Sequence, residues 1–261
     1  MPVIAIAVRN IKTVLFNKLL VLLIVIMPVL QMFIMSTVIE SAEVPQNGTV
    51  ASGFTEIILL GQTGGASLIR FFAASTLVQF LMMTGIIAAA MVIGEKEKHT
   101  LARVFSTPLK KRQIIAGNLL GHLVTTLTVA LAVLVLAKLL LGIDWGNSLI
   151  DILVVTVFVV CTITALGFVF SGLFRNMKLA VGVMSFTIMA MTFLSGGFTS
   201  GDQFSVTSRF TLNKWAFDAY IGLMEGKNLW DIKFNLAVLA VISIVLGIAA
   251  CILYRRENVY E

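Results

Sequence analysis

Charged residues are scarce in this chain, so the places where they gather carry the chemistry. The densest group lies in residues 94–113, which read GEKEKHTLARVFSTPLKKRQ. It holds two carboxylates, Glu95 and Glu97, and the bases Lys96, Lys98, Arg103, Lys110, Lys111 and Arg112. Such a segment can dock on a protein groove or on lipid headgroups. It does not have the spacing of a catalytic site. No GxxxxGK[ST] phosphate loop, HExxH or GxSxG occurs anywhere in the sequence, so no catalytic residue, metal site or cofactor site is expected on this chain. His99 and His122 are the only histidines. His122 follows Asn118 by one helical turn, with Thr125 and Thr126 close by, giving a polar face. That face either lines a cavity or seam or bonds to a neighbouring helix. Cys161 and Cys251 sit in apolar runs without CxxC spacing and read as small buried hydrophobes.

The elements that must position these groups are apolar helices. Of 261 residues, 59% are hydrophobic and 12% charged, and the mean hydropathy is +1.01. Soluble domains carry about 25% charged residues, so the chain reads as an all-α integral membrane protein with one transmembrane domain over 1–261. The net charge of +6 does not mark a nucleic-acid binder, because the bases cluster at the ends of apolar runs. Spans are predicted at 19–39, 71–93, 114–141, 152–174, 179–199 and 234–254. Each is about long enough to cross a hydrocarbon core of roughly 30 Å. Residues 1–18 place Ile4, Ala7, Val8, Ile11, Val14 and Leu15 on one helical face, which predicts an interfacial amphipathic helix. The apolar run that follows is too long for a signal-peptide core.

An even number of spans puts both termini on one side. With both inside, that side holds 13 of the 19 Lys and Arg, and nine of the 13 acids fall outside. The bias predicts a multi-pass protein of the cell membrane with both termini cytoplasmic and residues 94–113 in the cytosol. Within that loop, residues 95–108 are predicted to form a short helix. Glu95 and Glu97 would sit in its first turn, where negative charge suits a helix N-terminus. Leu101, Val104 and Phe105 would form an apolar face beside Arg103, and Thr107–Pro108 would end the helix. At the outer side, Ser195-Gly196-Gly197-Phe198 interrupts span five. Residues 202–232 then stay semi-polar, with Trp215 and Tyr220 among interleaved aromatics that suit a membrane boundary. Gln31 and Gln79 are the strongly polar residues deep in spans one and two. Met184, Phe186, Met189 and Phe193 give span five a soft apolar surface, suited to varied apolar ligands or to lipid.

The run Gly94-Glu95-Lys96-Glu97, Thr100-Leu101, Ser106-Thr107-Pro108-Leu109 and Ile114-Ile115-Ala116-Gly117-Asn118 resembles the cytoplasmic loop of type-2 ABC exporter permeases. His99 stands where that family usually has glycine, and Asn118 where lysine is common. The resemblance implies an elbow helix before span one and a coupling helix on a separate ATPase subunit, contacted through Glu95, Glu97, Leu101, Arg103, Val104 and Phe105. It implies ATP and Mg on that partner, and a second permease subunit, identical or a sister chain. It implies a substrate path past Gln31, Gln79, Met184, Phe186, Met189 and Phe193. Short re-entrant helices would form an outer gate at Ser195, Gly196, Gly197, Phe198, Trp215 and Tyr220. The expected cargo is a hydrophobic or amphipathic molecule, a drug or antimicrobial, moved outward. An ion-coupled secondary transporter would normally carry intramembrane carboxylates, and the six runs have none. A non-transporting assembly or sensor protein is the remaining alternative.

Overall fold

A computed structural model describes residues 2–41, 65–97, 111–146, 148–196 and 208–256. Among them every regular element is helical. In chain order these are α1 (Pro2–Leu15), α2 (Lys18–Val21), a π turn (Leu22–Ile26), α3 (Met27–Ser41), α4 (Gly65–Glu97) and α5 (Lys111–Leu141). They continue with α6 (Leu149–Leu173), α7 (Met177–Leu194), a 3₁₀ turn (Ser208–Phe210), α8 (Leu212–Met224) and α9 (Lys233–Arg256). Among the described residues, six stretches are long and apolar enough to cross a membrane: Lys18–Ile39, Leu68–Glu97, Gln113–Leu141, Leu149–Leu173, Met177–Leu194 and Lys233–Tyr254. They are called spans one to six below.

Span one is a single rod with a fault in it. Pro28 lacks an N–H and its ring crowds the carbonyl one turn back, so the regular α ladder cannot continue through it. The π turn at Leu22–Ile26 lies on that preceding turn and takes up the misfit.

Span four is the axis of the bundle. Val155, Thr156, Val159, Val160 and Ile163 on it are fully buried, and spans two, three and six pack around it. Lipid offers no hydrophobic drive between helices, so close contact of backbones must hold them. Small residues supply it. A Cβ on Gly167 of span four would lie 2.7 Å from the carbonyl oxygen of Gly85 on span two. Hydrogen bonds add to this: the Thr162 hydroxyl donates to Phe158 O within span four and to Leu239 O of span six, at 2.8 and 3.2 Å.

One end of the bundle is closed by α8. Its Leu212, Ala216, Ala219, Tyr220 and Leu223 are buried against spans two, four and six. Tyr220 donates to Thr156 Oγ1 at 3.0 Å, and the Asn213 amide donates to Thr192 Oγ1 of span five at 2.8 Å. The turn between spans three and four sits at the same end. Gly142 takes φ +65° after the last turn of α5, with Gly142 N–H bonded to Lys138 O and Ile143 N–H to Ala137 O. Trp145 then folds back, its indole N–H donating to Leu134 O at 3.2 Å.

Candidate functional site

The opposite end of the bundle holds Glu95, Lys96 and Glu97; the α8 end has charges of its own, in the pairs Lys214–Asp218 and Lys227–Glu225. The structure places Glu95 and Glu97 in the last turn of α4, not in the first turn of a separate helix. Helical backbone simply continues through Gly94 past the apolar part of span two. Carboxylates at a helix C-terminus face the negative end of the macrodipole, so this placement needs compensation from elsewhere. Glu95 and Glu97 find it in different parts of the fold, while Lys96 between them, whose charge suits a helix C-terminus, makes contacts of its own.

Glu95 Oε1 accepts from Arg9 Nη2 of α1 at 2.6 Å. Arg9 also donates to Asn10 Oδ1 at 3.3 Å, and the Asn10 amide donates to Asn118 Oδ1 on span three at 2.9 Å. A polar thread therefore runs from span two through α1 into span three. The Arg9–Glu95 pair is substantially exposed, so it contributes about 1 kcal/mol or less to stability. The Asn10–Asn118 bond is buried, and breaking one partner there costs about 1–3 kcal/mol.

The sequence explains why α1 can reach Asn118. Gly117 directly precedes it and Gly121 follows it by about one turn. A Cβ on Gly117 would lie 2.8 Å from Ile6 Cβ, and one on Gly121 would lie 2.9 Å from Asn10 Cβ and 3.0 Å from Ala7 O. Contact thus advances four residues along both helices together, so α1 and span three run the same way where they touch. His122, Thr125 and Thr126 are buried as well. His122 meets the Phe168 ring edge-on at 5.9 Å between centroids, and Thr125 Oγ1 donates to Gly121 O at 2.7 Å. The polar face predicted on span three is therefore turned into the protein.

Lys96 Nζ donates to Ser171 O at the end of span four at 2.7 Å, and lies 4.8 Å from the Tyr254 ring centroid of span six. Ser171 Oγ and the Tyr254 hydroxyl are 2.6 Å apart. A cation over an aromatic face in such a setting is worth about 0.5–2 kcal/mol. Glu97 Oε1 accepts from the Met177 N–H at 2.7 Å, at the start of span five, where Asn176 Oδ1 also accepts from Leu179 N–H. One helical turn of span two therefore touches α1 and spans four, five and six.

Leu101, Arg103, Val104 and Phe105, predicted to contact an ATPase, lie outside the described residues, as do Gly197 and Phe198. The candidates on span five separate into two faces. Phe186, Met189 and Phe193 are exposed at 75%, 68% and 53%. Met184 is on the other face, buried where Gly85 and Ile163 meet it. The residues of span five that are buried, Ala180, Met184, Ile188 and Thr192, form one stripe. Gln31 and Gln79 are half-buried. Ser195 caps span five and Gly196 turns the chain at φ +77°. Trp215 donates to Arg209 O at 2.9 Å and packs on Phe234, whereas Tyr220 is wholly buried.

The sequence pattern gives Arg9, Asn10, Gly121, Ser171 and Tyr254 no role, and it shows Gly117 only as part of the run before Asn118. The small-xxx-small pair Gly117/Gly121 was the available signal.

The comparisons with known proteins agree with this architecture. Residues 35–252 match the family described as ABC-2 family transporter protein. A relative, "ABC transporter A family member 6" of Dictyostelium discoideum, is 28% identical over 182 residues. That match covers 67% of this chain and 11% of the relative, so the chain corresponds to a small part of that protein's length. Six membrane-length helices and a family match across most of the chain lead to one conclusion: this protein belongs to the ABC-2 transporter family, as a multi-pass membrane permease.

Proposed function

We propose that the chain is the membrane subunit of an ATP-driven exporter, and that the turn Glu95–Glu97 is where force from a separate ATPase enters it. The observation that carries this is the geometry of that turn. It fastens α1 and spans four, five and six at one end of the bundle, and the chain leads from it straight into the basic segment 98–112. A push on that segment would be felt by most of the bundle at once. The positive charge of the segment supports a cytoplasmic location for this end. The family implies an ATPase partner in the membrane complex, which would hold ATP and Mg.

The exposed face of span five, with Phe186, Met189 and Phe193, together with Leu30, Phe33 and Ile34 of span one, fits a seam with a second permease subunit. A path along that seam, past Gln31 and Gln79, would accept hydrophobic or amphipathic cargo such as a drug or antimicrobial. Methionine and phenylalanine give such a path adaptable apolar walls. Ser195 and Gly196, at the α8 end of span five, would close it from outside, with Trp215 and Tyr220, packed on span six and in the core, bracing α8 behind them.

The test is purification from the native membrane in mild detergent, with identification of co-purifying chains. A stoichiometric P-loop ATPase is expected. Leu101→Asp with Phe105→Asp should abolish its co-purification while the permease remains monodisperse. Recovery of a folded permease with no ATPase would remove the proposal.

A further inference from the structure

Span five is joined to span four by a short turn, yet it packs chiefly on span two. Its single buried stripe faces that helix, with Met184 seated at Gly85 in the middle. At the cytoplasmic end, the two spans are linked by the bond from Met177 N–H to Glu97. That bond joins unlike charges. The carboxylate ends span two, and the N-terminus of span five presents the positive end of a helix dipole; Met177 N–H there has no acceptor within its own helix and is taken by Glu97, as Leu179 N–H is by Asn176 Oδ1. A Cβ on Gly94 would lie 3.5 Å from Met177 Sδ, so the helices are also close in the preceding turn.

We infer that Glu97 is a positioning residue that makes span five move with span two, so that displacement of the segment after residue 97 reaches the exposed face of span five directly. This rests on the exporter reading above. Without the bond, span five would still be held by Met184 and by the Asn213–Thr192 contact at its far end. Its cytoplasmic end would then be free to lag behind span two.

The donor side allows a clean test. Met177 is the first residue of the helix, a position that tolerates proline, and Asn176 before it already has φ −101° and ψ 121°, which a following proline accepts. Met177→Pro therefore deletes the donated hydrogen while leaving the helix start intact; because it also removes the sulfur near Gly94, Met177→Ala, which keeps the hydrogen and should respond as wild type, is its control. Glu97→Ala deletes the acceptor, and Glu97→Gln keeps one.

The experiment uses the permease–ATPase complex in nanodiscs, in a Cys161→Ala, Cys251→Ala background. An environment-sensitive thiol fluorophore is placed at Ser185→Cys on the exposed face of span five or, as control, at Met83→Cys on the exposed face of span two. The signal is the emission change on adding Mg·ATP with vanadate. In Glu97→Ala and in Met177→Pro the Ser185 response should fall at least twofold while the Met83 response is kept. Glu97→Gln should stay within the wild-type range. An unchanged Ser185 response in both Glu97→Ala and Met177→Pro overturns the inference. Equal loss at both probes overturns it too, because Glu97 would then act at ATPase docking. If neither probe responds in the wild-type complex, or no ATPase is present, the exporter reading has failed and this inference goes with it.

Discussion

Single residues at the closed end of the bundle hold it by hydrogen bonds that lipid would not replace. Tyr220 is the largest of them. Burial pushes its hydroxyl pKa well above the ordinary tyrosine value, and the bond to Thr156 opposes this only in part. The sign of the pH effect follows. Below about pH 10, tyrosine is neutral in folded and unfolded chains alike, and the contribution of Tyr220 is fully present. As pH rises past that value the unfolded state ionises first, so this contribution is lost. Tyr220→Phe should cost about 1 kcal/mol at pH 8, measured by thermal unfolding in detergent. The gap to wild type should shrink, or reverse, between pH 10 and about pH 11. A gap that stays constant would mean Tyr220 is hydrated in solution. Sequence alone put Tyr220 among boundary aromatics. Its burial was not legible, because LNKWAFDAY interleaves polar and apolar residues as an interfacial segment does, and its core face becomes visible only when spans two, four and six close around it.

At the scale of elements, the helices themselves were largely legible, because crossing lipid demands long apolar runs and tolerates little else. Where helices end was not. Span two runs on through Glu95 and Glu97 because Arg9 and Met177, 86 and 80 residues away in sequence, neutralise a local electrostatic fault. No window read along the chain contains that information. The docking of α1 was equally hidden, since its amphipathic pattern suits a lipid surface as well as a protein one. In the fold, Ile6, Ala7, Asn10 and Val14 are spent on span three, and Ile4, Val8 and Leu15 are the residues left facing outward. Gly121→Val should therefore act through α1. The added atoms meet helix backbone at Ala7, which cannot yield, so α1 must shift. The penalty of about 1–3 kcal/mol expected for overpacking should appear as faster tryptic cleavage at Lys12 and Lys18, by about tenfold. Cleavage at the wild-type rate would show that α1 is not held by this seam.

For the whole molecule, the two ends differ in chemistry. One gathers Arg9, Lys12, Glu95, Lys96, Glu97, Arg175 and Lys178, and the other the Gly142–Ser148 turn and α8. Positive charge at the first end predicts that it faces the cytoplasm. Cysteines at Asp144 and at Lys178, both exposed, would report on this in a chain freed of Cys161 and Cys251. A membrane-impermeant maleimide on intact cells should label Asp144→Cys and leave Lys178→Cys untouched. The reverse pattern would invert the protein. Gly146 in the same turn is unsuitable: it has φ +123°, and a Cβ there would lie 2.6 Å from Leu223 O.

The seam between α1 and span three also bears on biogenesis. Asn10 and Asn118 are 108 residues apart. At a synthesis rate of about 5–20 residues per second, the amino-terminal helix waits roughly 5–20 s before the surface it packs on has been made. During that interval spans one and two are already available for insertion, and Arg9 has Glu95 to meet before Asn10 has Asn118. Assembly is thus ordered by translation: the ion pair forms first, and the buried amide bond closes the helix down only when the third span arrives. Stalled nascent chains in which span three is still inside the ribosome, and longer ones in which it has fully emerged, should differ in protection of the amino terminus, independently of any nucleotide or cargo.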